Sequence, residues 1–163
     1  MNDPRNPADE QGPTNDPQTP PPPEVSAVAR RMWEDDVPAR SLGIEPLEVR
    51  PGHARLRMRV REEFVNAVGV CHGGYIFLLA DTAFAFACNS HNQKAVAASA
   101  NIDFVAPAFE GDHLVAEGIE QHLAGRYGVY DVRVTNQEGG LVALFRGKYA
   151  TIKGRHLEDD PPS

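Results

Sequence analysis

The segment GGYIFLLADTAFAFAC, residues 73–88, sets the fold, because it is apolar on every side and is interrupted only by Asp81 and Thr82. At about 1.5 Å per residue, it predicts a helix roughly 22 Å long. A helix that is apolar all round lies inside a fold or inside a membrane, and this segment is short of the ~20 residues that cross a bilayer. It therefore predicts a buried core helix.

Strand patterns lie on both sides of this helix. Before it, residues 42–50 and 54–60 predict two strands separated by Pro51 and Gly52. The second strand alternates apolar residues with arginines, which favours a solvated face over a phosphate-binding ladder. After the helix, four strands are predicted in series, at residues 95–105, 113–123, 127–137 and 141–152. A buried helix followed by a four-strand antiparallel meander indicates the α+β class, with a curved sheet wrapped around the helix.

The two ends of the chain differ from its middle. Residues 1–23 hold 8 of the 14 prolines, and residues 154–163 end in an acidic run with two more. Such segments bury too little apolar surface to offset their ordering entropy, so both are predicted to be disordered tails. One domain remains at residues 24–153, and it begins with a predicted amphipathic helix at residues 24–35 that Ser26 would cap.

The overall composition argues against several classes of protein. The 163 residues carry a formal net charge of −7, so no binding to nucleic acid is expected. Cys71 and Cys88 fit neither a disulfide framework nor a zinc-knuckle spacing, and the 6 histidines show no ligand spacing, so no metal site is predicted. Without a long apolar run or a signal-peptide pattern, we expect a cytoplasmic protein that does not bind membranes.

Asp81 is the most informative residue about function. Its neighbours one turn away on the predicted helix are all apolar, namely Phe77, Leu78, Phe84 and Ala85. Burying an ionised carboxylate without partners is costly, so Asp81 serves either structure, bonded to the backbone or to Thr82, or chemistry. The chemical interpretation is a general base or nucleophile with a raised pKa in a cleft that excludes water.

The turn Cys71-His72-Gly73-Gly74 precedes this helix. Its glycines and the free amides of a helix N-terminus suit an oxyanion hole or a phosphate site, although a Gly-Gly pair before a helix is more often an ordinary tight turn. His72 either orients the turn or touches substrate, and the Asn66 amide is placed to position water or a carbonyl group. Cys71 lacks a basic partner, which favours an inert buried thiol over a nucleophile.

The pattern Asn66-x5-His72-Gly73-Gly74-x6-Asp81 resembles the hotdog-fold acyl-CoA thioesterases, and within them the phenylacetic acid degradation (PaaI) type. The likeness covers about residues 25–152. Further agreement comes from Ala87–Ser90, Ile102–Phe104, Gly128–Asp131 and Val142–Lys148.

This resemblance implies an enzyme without a cofactor that hydrolyses phenylacetyl-CoA and its ring-hydroxylated relatives, with medium-chain acyl groups left open. Asp81 would activate water or attack the thioester, the backbone N–H of Gly73 would polarise its carbonyl, and Asn66 and His72 would complete the pocket. Candidate substrate-binding residues are Gly74, Phe84, Asn89, Ser90, Arg146 and Lys148, with Lys94 as a further cation for the phosphates of coenzyme A.

The resemblance also implies an assembly. In the family the active site lies across a dimer interface, with Asp81 from one subunit and the His72-Gly73-Gly74 turn from the other, and dimers pair into a homotetramer. Covering an exposed sheet edge gives a physical reason for such association. Two alternatives remain open: a non-catalytic acyl-CoA-binding hotdog domain and a 3-hydroxyacyl-CoA dehydratase. A dehydratase pairs a catalytic histidine with a carboxylate on the helix, whereas here the histidine lies in the turn.

Overall fold

The structure, a computed structural model, describes residues 25–158. Its helices are α1 (Ala27–Asp35), α2 (Val37–Ser41) and α3 (Gly73–Asn89), and a 3₁₀ turn spans Glu62–Phe64. Its strands are β1 (Glu45–Arg50), β2 (His53–Arg59), β3 (Gln93–Phe104), β4 (His113–Ala124), β5 (Tyr127–Thr135) and β6 (Leu141–Arg155). The predicted tail at residues 1–23 lies outside the described residues.

Helix α3 is the predicted core helix, and five of the six strands that form the sheet pack substantially against it. Leu79, Ala80 and Ala83 have no exposed surface. On β4, Gly118 permits a close approach, because a Cβ atom there would lie 3.2 Å from the carbonyl oxygen of Ala83. One stripe of the helix is only half-buried, and it contains Phe77, Leu78, Asp81 and Ala85.

The strand order is β1-β2-β4-β5-β6-β3, with every pair antiparallel. Strands β4, β5 and β6 form a meander, but the expectation that β3 continues it is wrong. Strand β3 pairs with β6 at the far edge, with Ala100 opposite Gly147. Residues 105–112 cross from that edge back to β4. The turn signals Pro107 and Gly111 mark this connection, but a hairpin and a crossover carry the same local signals.

The arginines of β2 lie on a solvated face, as its alternation predicts. Leu56 and Met58 are buried between them. Arg57 forms an ion pair with Glu45 of β1 at 2.6 Å. The phosphate-ladder alternative therefore finds no support, because cross-strand carboxylates already occupy this face.

Strand β3 is an open edge of the sheet. Most of its residues are exposed on both faces, including the apolar Val96 and Phe104, which are 50% and 54% exposed. In a single chain, β3 therefore has an unpaired row of backbone groups along its outer edge. Together with the half-buried stripe of α3, it also leaves apolar surface exposed to solvent.

Both ends of the domain are tied down by hydrogen bonds. At the start of α1, the Ser26 hydroxyl accepts from the Ala29 N–H at 3.3 Å, as predicted for a cap. The helix α2 was not predicted. At the other end, the expected start of the C-terminal tail at residue 154 is too early, because β6 runs through Arg155 and the His156 ring lies 2.7 Å from the Asn89 side-chain oxygen. Within residues 25–158, no helix has both the length and the apolarity to cross a bilayer.

Candidate active site

The turn before α3 leaves one backbone donor exposed at the helix N-terminus. His72 is the N-cap, and its Nδ1 atom accepts the Gly74 N–H at 2.9 Å. The backbone N–H of His72 donates to the carbonyl of Phe64 at 2.8 Å, and this hydrogen bond holds the turn in place. Within the described residues, the Gly73 N–H has no acceptor, and the helix dipole places partial positive charge there. Gly73 therefore offers a fixed site for a carbonyl oxygen that gains negative charge.

Asn66 holds the loop in shape and keeps its amide nitrogen available. Its Oδ1 atom accepts from the backbone N–H groups of Val68 and Val70 at 3.0 and 3.3 Å. The Nδ2 group donates to no atom of residues 25–158. A side chain fixed by one atom of its amide presents the other in a defined direction, which suits a polar contact to a ligand.

Asn66 and Gly73 meet at a cavity of about 340 Å³ between the turn and the end of β3. The cavity is open to solvent, and apart from Asn66 and the Gly73 backbone its walls are mainly apolar. They comprise Val70, Cys71, Ile76, Phe104, Val105, Ala106 and Pro107. An apolar site with two placed donors suits an acyl group that carries one carbonyl.

Asp81 lies on the half-buried stripe of α3, and its carboxylate has no hydrogen-bond or ion-pair partner among the described residues. The structural alternative finds no support, because Thr82 Oγ1 donates instead to the carbonyl of Leu78 at 2.7 Å. Burial raises the pKa of Asp81 above its ordinary value of 3.8. Asp81 is eight residues along the helix from Gly73, about 12 Å at 1.5 Å per residue. It lies outside the cavity in a single chain.

Comparison with known proteins identifies the family of the chain. The thioesterase superfamily model matches residues 68–143. The acyl-coenzyme A thioesterase PaaI of Escherichia coli is 45% identical over 126 residues, covering 77% of this chain and 90% of that protein. A putative esterase of Archaeoglobus fulgidus is 39% identical over 139 residues, covering 85% of this chain and 88% of that protein. The chain belongs to the thioesterase superfamily.

Solved structures agree with this assignment. The E. coli PaaI protein, from the phenylacetic acid degradation operon, has a TM-score of 0.77 at 45% identity and covers 78% of this chain and 92% of that one. A Streptococcus mutans protein bound to acetyl-CoA has a TM-score of 0.66 at 28% identity, covering 69% and 90%. The predicted α+β hotdog fold is confirmed, and the thioesterase is a thioester hydrolase.

In this thioesterase, three residues that were predicted to bind substrate have side chains that contact other parts of the fold. Phe84 is 1% exposed and packs against Tyr130 and Phe145 in the core, so it does not line the cavity. The buried Asn89 side chain donates to the carbonyls of Ala85 and Ala95, and thereby ties the end of α3 to the start of β3. Ser90 is also buried, and its hydroxyl donates to a helix carbonyl and accepts the backbone N–H of Gly52.

The predicted cations of the thioesterase also lie away from the cavity that Asn66 and Gly73 share. Arg146 forms a two-bond ion pair with Asp131 across β5 and β6, at 2.6 and 2.7 Å. The Lys148 ammonium lies 4.8 Å from the centre of the Tyr127 ring. Lys94 is exposed at the opposite end of β3 from Phe104. The Gly74 N–H already donates to His72 Nδ1, so it is not free to donate to a ligand.

The two thiols of the thioesterase stay protonated near neutral pH. Burial, reinforced by Asp112, raises the pKa of Cys71 to about 11, and burial raises the pKa of Cys88 to about 12. Both are poor nucleophiles, which favours the inert-thiol interpretation. Among residues 25–158, no three His, Cys, Asp or Glu side chains are grouped as a metal site would require.

Sequence reasoning missed the far wall of the cavity, residues 104–107, as part of the site. Phe104 was noted only within a family pattern, and no local signal links it to Gly73, which lies 31 positions earlier. The contact arises because β3 returns along α3 to the helix N-terminus. Only the tertiary path of the chain shows it.

Proposed function

We propose that this thioesterase hydrolyses acyl-CoA thioesters to the free acid and coenzyme A, with phenylacetyl-CoA and its ring-hydroxylated relatives as preferred substrates in phenylacetate degradation. Two relatives support this proposal. One is the E. coli PaaI thioesterase from a phenylacetic acid degradation operon, and the other is the S. mutans protein bound to acetyl-CoA. Other aryl groups and medium-chain acyl groups would fit the same mainly apolar cavity.

The proposed chemistry begins at Gly73. The thioester carbonyl oxygen accepts the Gly73 N–H, and Asn66 Nδ2 supplies a second polar contact. Asp81, as general base, takes a proton from water while the water oxygen bonds to the carbonyl carbon. The tetrahedral intermediate then collapses, the carbon–sulfur bond breaks, and the coenzyme A sulfur leaves as a thiolate that takes up the proton. Water is the only co-reactant, so the scheme requires no cofactor and no metal.

His72 acts in this scheme by positioning. Its Nδ1 atom holds the Gly74 amide, so the Gly73 N–H is the donor that the turn leaves for the substrate. The same cap fixes the first turn of α3.

One observation carries the proposal: two donors lie at one cavity while the unpartnered carboxylate is about 12 Å along the same helix. A second copy resolves the separation by bringing its Asp81 to the first copy's Gly73. The open edge of β3 and the half-buried stripe that holds Asp81 form the surface that this copy would cover. We propose a dimer with two such shared sites, and pairing of dimers into a homotetramer.

The test is substitution of Asp81, read as thiol release with a chromogenic reagent. Asp81→Asn and Asp81→Ala should lower kcat by about 100-fold to 10,000-fold, the usual contribution of a general base. The control is Asp35→Asn, an exposed carboxylate paired with Arg31 on α1, which should leave kcat unchanged. Parental rates in the Asp81 variants, with folding and assembly intact, would refute the proposal.

A further inference from the structure

We infer that Phe104 determines acyl selectivity, by presenting an aromatic ring to the acyl group beside the oxyanion donor Gly73. The inference deepens the proposed function and rests on it. Sequence reasoning gave this role to Phe84, whose ring lies in the core.

The ring of Phe104 lies directly against the helix N-terminus. A Cβ atom added to Gly73 would lie 2.9 Å from Phe104 Cζ, 3.2 Å from Cε1 and 3.4 Å from Cε2. No side chain fits between the ring and the helix, so glycine is required at position 73 if the ring keeps this place. The far edge of the ring therefore lies beside the backbone that donates the Gly73 N–H.

The rest of the ring is exposed in the single chain. Phe104 is 54% exposed although one edge is in contact with the helix, and it lines the cavity that Asn66 and Gly73 share. The other apolar walls of that cavity are aliphatic or sulfur-containing, at Val70, Cys71, Ile76, Val105, Ala106 and Pro107. Among the described residues that line the cavity, Phe104 supplies the aromatic surface.

The aromatic surface of Phe104 affects substrate binding because it lies close to Gly73. An acyl group whose carbonyl oxygen accepts the Gly73 N–H has its next carbon atoms within a few bonds of that oxygen, beside the Phe104 ring. An aromatic pair gains free energy beyond the area it buries, which corresponds to a factor of about 2 to 10 in binding. A phenylacetyl group gains this factor, and a straight-chain group of similar carbon count does not.

The test compares Phe104→Leu and Phe104→Ala with Phe109→Leu. Phe109 is the matched control, because it is 53% exposed and lies five residues further along without lining the cavity. For each protein, kcat/KM is measured on phenylacetyl-CoA and on hexanoyl-CoA, and the oligomeric state is checked by size-exclusion chromatography. The phenylacetyl-to-hexanoyl ratio should fall about 3-fold to 10-fold in the Phe104 variants and stay at the parental value in Phe109→Leu.

Equal losses on both substrates, an unchanged ratio, or dissociation as the cause of the loss would each overturn the role of Phe104 in selectivity. Failure of the proposed function has a different signature. In that case the parental protein releases no coenzyme A from either substrate, or the Asp81→Asn variant keeps the parental rate.

Discussion

Asp81 combines an ionisable group with an environment that resists its ionisation. Burial raises its pKa, and no donor among residues 25–158 stabilises the charged form. A carboxylate that gains no compensation from the fold is suited to accept a proton from a substrate water. Hydrolysis should therefore lose rate as the pH falls through the raised pKa of Asp81, because the protonated acid cannot act as a base.

The same burial predicts an effect on stability. An aspartate whose pKa is higher in the folded than in the unfolded chain binds protons more readily when folded. Its ionisation therefore lowers the free energy of unfolding at pH above its ordinary value of 3.8, and this loss disappears as the pH falls. Asp81→Asn should raise the melting temperature at neutral pH, on the order of a few degrees, while it lowers kcat. Calorimetry at pH 7 measures this shift, and a lowered melting temperature would show that the carboxylate stabilises the fold.

Single residues also show how much of the candidate site could be predicted from the sequence. Asp81 and Gly73 were predicted as site residues because a charge in an apolar helix and a glycine at its start are unusual by residue type. Asn89 and Ser90 were predicted to contact the ligand, but a polar residue at the end of a buried helix serves equally well to satisfy the last carbonyls. Only the positions of the Ala85 and Ala95 carbonyls separate these two roles.

At the scale of elements, the packing of β6 against α3 depends on a close approach at Gly147. A Cβ atom there would lie 2.8 Å from Phe84 Cε2 and 2.9 Å from Phe145 Cε1. Both rings are buried in the core and have little room to move. The strand can lie this close to the helix only because position 147 carries no side chain.

Gly147→Ala should lower the free energy of unfolding by about 1–3 kcal/mol, the usual cost of overpacking a core. Urea denaturation measures this cost. In a Phe84→Leu background the added methyl group has more room, so the Gly147→Ala change should cost less there. An unchanged urea midpoint for Gly147→Ala would mean that β6 does not approach α3 as closely as described.

Elements were predicted where their signals are local. Helix α3, the Ser26 cap and the alternation of β2 each follow from spacing within a few residues. The position of β3 does not follow from local spacing. This strand could join the sheet at either of two edges, and the connection at residues 105–112 fits both positions. The short helix α2, with a proline in its first turn, carried too weak a periodicity to be recognised.

For the whole molecule, the open edge of β3 and the half-buried stripe of α3 have a common consequence. Each leaves groups on the protomer surface that proteins normally cover, and the candidate catalytic carboxylate is one of them. The wall formed by Phe104 also belongs to this edge, so acyl selectivity and assembly are expected to depend on the same strand. The sequence could suggest association only through a family resemblance, since no local pattern indicates which surface remains open.

Complementation between two inactive variants tests most directly the proposal that two chains share each active site. Asp81→Asn removes the base. Gly73→Pro removes the oxyanion donor at the first helical position, where a helix tolerates proline, and it is combined with Phe104→Ala so that the proline ring has room. Hybrid dimers, isolated with two different affinity tags, then contain one site that lacks both groups and one that is intact. Hybrids should recover about half of the parental kcat per dimer, because an isologous dimer contains two equivalent sites. Hybrids no more active than either variant alone would show that Asp81 and Gly73 of the same chain serve one site.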